Sequence, residues 1–322
     1  MFKSMWLILF AIGILALGGC SQAAQEDKSI QTADEKIKIY TTIFPLQNFS
    51  EKIGGEFVEV ENIVPAGSDA HSFEPTTKTM VQIAEGDAFI YLGTGIEGFT
   101  DAVISAVKNE DTAIVKASEG TPLIGVPESS EDEHEEENDE EHAGEDGDVD
   151  PHVWLDPGRS VQLAENIKNA LIKIDPSQQD YFEKNYQALK DNLEKVDSKF
   201  ESMANEAQTK TFIVAHSAYG YWEDAYGLKQ IGISGLSPSA EPSQKQLEEI
   251  VKTAENAELK YILFEQNVEN RVAEVIKREL GADTLTLHNL ESLTEEDIQN
   301  NEDYISLMNK NIETLKQALN SK

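Results

Sequence analysis

Three of the six histidines in this 322-residue chain fall where a fold can present chemistry: His71 in a polar loop after an extended run, His152 behind an acidic stretch, and His216 closing the apolar run Thr211-Phe-Ile-Val-Ala215. Imidazole is the commonest protein ligand for zinc, which favours four nitrogen, sulfur or oxygen donors in a tetrahedron. Three histidines far apart in sequence are equally what satisfied structural histidines look like, so spacing alone leaves both readings open. A hydrolytic zinc site would add a helix-borne His-Glu-x-x-His pair or a comparable general base. No such motif occurs in the sequence, which points away from an enzyme.

The net charge of −34 is unevenly placed: fourteen Asp or Glu and no Lys or Arg fall between Glu128 and Asp150. Repulsion and the lack of apolar residues predict a disordered acidic loop over 128–149. Its two histidines, His134 and His142, are possible auxiliary metal ligands among the carboxylates, and a solvated spacer is the plainer alternative. So acidic a chain is repelled by nucleic acid phosphates and suits cations as partners.

At the amino end, Trp6 to Leu17 is an apolar run of about a dozen residues, short of the roughly 20 that a spanning helix needs. It ends at Leu17-Gly18-Gly19-Cys20, which resembles the bacterial lipobox. Residues 1–19 are therefore expected to be a lipoprotein signal peptide and Cys20 the lipidated residue. As Cys20 is the only cysteine, no intramolecular disulfide can form. Residues 20–35 are small, polar and charged, the composition of a flexible tether.

The histidines need elements to hold them. Ile37–Phe44, Phe57–Val64 and Ala88–Leu92 read as strands, with helices near Leu46–Ile53, Lys78–Ala84 and Phe99–Val107. The alternation resumes with strands at Thr211–Ala215, Gln230–Ile233, Tyr261–Phe264 and Thr284–Leu287 and helices at Ser243–Asn256, Arg271–Leu280 and Tyr304–Leu319. Alternating strands and helices imply parallel sheets, so the fold class is α/β with two lobes of similar size and a ligand site in the cleft between them. Between the lobes, Phe182, Leu189, Leu193, Val196, Phe200 and Met203 mark one face of a long helix from about Ser177 to Ala207. This helix is read as an intrachain strut in a monomer. The expected organisation is a first lobe over 36–175, a linker helix over 176–208 and a second lobe over 209–322.

Three segments then carry a resemblance: Pro65-Ala-Gly-Ser followed by Ala70-His71-Ser-Phe-Glu74-Pro75; Asp150-Pro-His152-Val-Trp154-Leu-Asp156-Pro157; and Ala215-His216-Ser-Ala-Tyr219-Gly-Tyr221. In that order they resemble the His-bearing motifs of the zinc-uptake ABC-transporter substrate-binding lipoproteins, metal-specific solute-binding proteins whose two α/β lobes are joined by one rigid helix. The resemblance runs from about residue 36 to the end.

It implies a metal between the lobes, held by His71 and His152 from the first and by His216 and a carboxylate from the second. Asn289-Leu290-Glu291-Ser-Leu293 resembles the segment that supplies the carboxylate in Gram-positive members, which makes Glu291 the fourth ligand. This chain has His288-Asn289 where a proline would be expected nearby, and Asp283, Glu265, Glu74 or a water remain alternatives. Asp150 and Glu265 are candidates to hydrogen-bond the far nitrogens of the ligand histidines. Trp154, Tyr219 and Tyr221 read as packing around the site.

Manganese-type relatives have a carboxylate where His216 stands, and imidazole suits Zn2+ better than harder ions. The resemblance thus implies a protein that captures Zn2+ as cargo at the outer face of a bacterial cell membrane and passes it to a permease with a cytoplasmic ATPase. A manganese importer component or a surface adhesin of the same family is the alternative.

Overall fold

The computed structural model describes residues 36–126, 149–266 and 271–321. Residues 1–35 with Cys20, and the acidic stretch with His134 and His142, lie outside the described residues.

The described residues form two four-stranded, fully parallel sheets of identical strand order. In the first, β1 (Ile37–Thr41) lies between β2 (Val58–Asn62) and β3 (Ala88–Tyr91), and β4 (Ala113–Lys116) pairs with β3. Helices α1 (Phe44–Gly54), α2 (Thr77–Ala84) and α3 (Thr100–Val107) make the returns. In the second, β5 (Thr211–His216) lies between β6 (Lys229–Ser234) and β7 (Tyr261–Glu265), and β8 (Asp283–Leu287) pairs with β7. Helices α6 (Gly220–Tyr226), α7 (Gln244–Asn256) and α8 (Arg271–Leu280) belong to this lobe. Strand order reverses between β1 and β3 and again between β5 and β7. The carboxyl ends of strands at such a reversal are where open α/β sheets bind ligands.

Between the sheets run α4 (Pro157–Ile174) and the 28-residue α5 (Gln179–Glu206), about 42 Å long at 1.5 Å per residue. The apolar stripe of α5 is buried from Phe182 to Met203 and packs on α1, α4 and the closing helix α10 (Tyr304–Leu319), so this chain itself covers that face. One core runs from the first lobe through α4, α5, α6 and α10 to the inner face of the second sheet, where Phe212, Val214, Leu263 and Leu287 lie. A smaller core of Ile213, Ala215, Ile233, Ile262, Ala273 and Ile276 occupies the outer face beneath α7 and α8. Side chains alternate along a strand, so His216 shares the inner face with Phe212 and Val214.

The structure departs from the sequence reading at short elements. The first strand ends at Thr41, and α1 already begins at Phe44 with Pro45 in its first turn, where the missing N–H is no loss. Strand β4, helix α6 and the five-residue α9 (Glu295–Gln299) were not anticipated. Elements of four to seven residues are too short to establish a period, and β4 is a four-residue, partly exposed edge strand.

Candidate metal centre

His71 lies in the loop between β2 and α2. Asp69 shapes that loop by accepting the His71 backbone N–H at 2.9 Å and the Ser72 hydroxyl at 2.9 Å. His152 opens a single 3-10 turn, Val153–Leu155, that feeds α4. Asp156 caps α4 by accepting the N–H groups of Gly158 and Arg159, and Pro157 sits in the first turn. His216 ends β5, and Glu291 lies in the reversal between β8 and α9.

The side chains of His71, His152, His216 and Glu291 converge, each offering one donor atom, with all four atoms within 4.8 Å of one another. Nε2 of His71 is 3.3 Å from Nε2 of His152 and 3.6 Å from Oε1 of Glu291, and His152 Nε2 is 3.9 Å from the same oxygen. Nitrogens bound at about 2.0–2.1 Å to a tetrahedral zinc lie about 3.3 Å apart. The two imidazoles already have that separation, and slight contraction brings the carboxylate to it. His216 Nε2 and Glu291 Oε1 are buried without a hydrogen-bonding partner, which is costly unless a cation accepts their lone pairs. His71 alone retains some exposure, 12% of its side chain, and so forms the mouth of the site.

Each buried histidine has a carboxylate behind it. Asp150 Oδ1 lies 2.8 Å from His152 Nδ1 and also accepts the His152 backbone N–H at 3.0 Å. Glu265 Oε2, at the end of β7, lies against His216 Nδ1. The tautomers follow from these contacts: a proton on each Nδ1 faces a carboxylate and leaves Nε2 free for the metal.

Burial pushes the His152 pKa down more than Asp150 pulls it up. For His216 burial also acts downward, but the Glu265 carboxylate reverses it and the pKa is raised. Burial would raise the Glu291 carboxyl, yet the surrounding imidazoles of His71, His216 and His152 hold it below the usual range. The centre therefore favours a carboxylate facing imidazoles, the charge state that a divalent cation completes.

The alternatives are placed elsewhere. Glu74 is exposed, Asp283 is exposed at the start of β8, and Glu265 stands behind His216, outside the four-donor group. Trp154, Tyr219 and Tyr221 are fully buried walls. The Tyr221 hydroxyl donates to the Asp150 carbonyl at 2.8 Å, and the Trp222 indole donates to the Leu155 carbonyl at 2.6 Å, so α6 grips the segment that carries His152. Asn289, in the segment where a proline would be expected nearby, restrains the turn: its Oδ1 accepts the Glu291 N–H at 3.2 Å. The role of His288 was not read from sequence, because nothing local distinguishes it from a packed histidine.

Two parallel α/β lobes with three imidazoles and a carboxylate at their seam are the layout of a two-lobed metal-binding protein. The family described as zinc-uptake complex component A, periplasmic (ZnuA) matches residues 39–318, and the chain belongs to that family. It is 35% identical over 319 residues to the zinc-binding lipoprotein AdcA of Streptococcus pneumoniae, covering 98% of this chain and 61% of that one. The chain thus spans less than two thirds of the streptococcal relative. It is 33% identical over 325 residues to the high-affinity zinc uptake system protein ZnuA of Bacillus subtilis, covering 99% of each. Among solved structures it resembles the Zn(II)-bound ZnuA-like domain of Streptococcus pneumoniae AdcA, with TM-score 0.73 and 34% identity over 89% of this chain and 100% of that one.

Proposed function

We propose that this chain is the binding component of a zinc importer: it takes Zn2+ outside the cytoplasm on His71, His152, His216 and Glu291, and delivers it to a membrane permease driven by a cytoplasmic ATPase. The observation that carries this reading is the convergence of four donor atoms within 4.8 Å, three of them imidazole nitrogens. Four protein donors fill a tetrahedral zinc and leave no open position for a substrate, which suits capture and not catalysis. The lipobox-like run ending at Cys20 supports a lipid anchor at the outer face of the cell membrane, and the covered stripe of α5 supports a monomer. His134 and His142 are proposed at most as weak auxiliary sites.

The third imidazole separates zinc from manganese, because replacing a carboxylate by His216 softens the donor set. Competitive titration of Zn2+ against Mn2+ on the soluble protein, with elemental analysis of the purified form, tests the proposal. Zinc is expected to win, and His216→Ala to weaken it strongly. Preference for Mn2+, or unchanged zinc affinity in that variant, overturns the assignment.

A further inference from the structure

His288 is buried three residues before Glu291 and is not one of the four metal donors. Its backbone is clamped on both sides by Asn311 of α10, whose Oδ1 accepts the His288 N–H at 2.8 Å and whose Nδ2 donates to the His288 carbonyl at 2.8 Å. The ring is equally committed. Nδ1 accepts the backbone N–H of Leu290 at 2.9 Å, and Nε2 lies 3.3 Å from Asp297 Oδ2. An N–H can donate to Nδ1 only if that nitrogen carries no proton, so the ring proton sits on Nε2 and faces Asp297. Asp297 is itself fixed, since it forms the capping box of α9 with Thr294.

Leu290, the recipient of this restraint, has φ +60° and is fully buried. The left-handed region is unfavourable for a residue with a branched side chain and persists only where the surroundings hold it. The conformation turns the chain so that the next residue, Glu291, presents Oε1 to His71 and His152 at 3.6 and 3.9 Å. Burial lowers the His288 pKa against the pull of Asp297, consistent with a neutral ring serving as acceptor.

We infer that His288 is a positioning residue for the metal: its Nε2-protonated imidazole holds Leu290 in the left-handed conformation that aims the Glu291 carboxylate into the site. The inference rests on the reading of Glu291 as a zinc ligand. It assigns to the β8–α9 reversal a task beyond packing, in which α9 and α10 set the position of one donor through a single ring.

Zinc affinity by chelator competition, read beside thermal unfolding of the zinc-free protein, tests this in His288→Leu, His288→Asn, Glu291→Ala and the double variant His288→Leu/Glu291→Ala. His288→Leu is expected to weaken zinc by about 10- to 100-fold, as loss of a supporting partner does. His288→Asn, whose amide oxygen reaches the place of Nδ1, is expected to keep most of the affinity. In the Glu291→Ala background His288→Leu should add no further loss. If it weakens zinc as much there as in the parent, His288 does not act through Glu291 and the inference falls. If Glu291→Ala binds zinc as tightly as the parent, the ligand assignment falls first. Nitrogen-15 NMR of the unsubstituted protein gives a reading that needs no variant to fold: an unprotonated Nδ1 on His288 supports the inference, and a proton there overturns it.

Discussion

The indole N–H of Trp154 donates to the backbone carbonyl of Asn289 at 2.8 Å. This bond ties the residue two positions after His152 to the residue two positions before Glu291. It is fully buried and crosses from the first lobe to the second. The same reversal is held again where Phe44 N–H donates to the Glu291 carbonyl at 2.9 Å, and where the Ser292 hydroxyl donates to the Ser68 carbonyl at 2.8 Å. The carboxylate arm is thus attached to the first lobe by three hydrogen bonds. Trp154→Phe keeps the aromatic wall but strands a buried carbonyl, at an expected loss of about 1–3 kcal/mol of unfolding free energy. Urea denaturation with and without zinc checks this, and the stabilisation that zinc adds should shrink in the variant.

Asp150 performs two tasks with one oxygen, holding the His152 backbone and its Nδ1. Asp150→Ala should lower zinc affinity by about 10- to 100-fold, and His152→Ala by more. Asp150→Asn keeps an acceptor at that place and should fall between Asp150→Ala and the parent. Calorimetric titration of the three variants at one pH reads the order directly.

Acidification should release the ion, because only unprotonated imidazole binds it. His216 carries the raised pKa of the buried pair, so protons compete there from a higher pH than at His152. Glu265→Gln removes the charge that raises it while retaining an acceptor for Nδ1. The onset of acid-driven loss, followed in zinc titrations between about pH 5 and 8, should move to lower pH in that variant.

The first lobe holds a comparable buried acid at its own strand reversal. Glu97 Oε1 accepts the Thr42 hydroxyl at 2.6 Å and the Leu92 N–H at 2.6 Å, and Oε2 accepts the Gly93 N–H at 3.3 Å. Burial nevertheless pushes its carboxyl pKa up. A folded-state pKa above the unfolded value means that the stability it confers is complete below the unfolded pKa, about 4.3, and is lost as pH rises through the folded pKa. Glu97→Gln cannot ionise and still offers Oε1 to Thr42 and Leu92. Its unfolding free energy should lose that downward slope with rising pH, and superimposable pH profiles for parent and variant would refute the assignment.

The sequence displayed what depends on local period and composition. Phe182 to Met203 announced α5, the β-branched runs announced the inner strands, and His216 at a strand end marked one member of the four-residue cluster. What stayed hidden depends on pairs far apart in the chain: Trp154 with Asn289, Phe44 with Glu291, and His288 with Asn311 and Asp297. Phe44 was read as the last residue of a strand, whereas it opens α1. A helix's first N–H groups have no partner inside the helix, and that leaves the Phe44 amide free to hold Glu291. Asn289 was legible only as a departure from the expected proline. Its side chain takes over the restraint, but an Asx turn of this kind is visible only once the backbone path is known.

The acidic stretch begins and ends on a closed base. Gly125 and Val149 form an antiparallel bridge, and the Asp150 N–H donates to the Ile124 carbonyl at 2.9 Å. That base delivers Asp150 to His152 through contacts of Ile124, Gly125 and Val149. Deleting residues 128–148 should therefore leave the tight zinc affinity unchanged, while any weak calorimetric phase from His134, His142 and the carboxylates disappears. The lost negative charge acts only over a screening length of about 8 Å at physiological salt, so its effect belongs to association. Stopped-flow capture of zinc should slow at low ionic strength and converge with the parent as salt is added. A large fall in tight affinity would instead place a ligand within the deleted stretch.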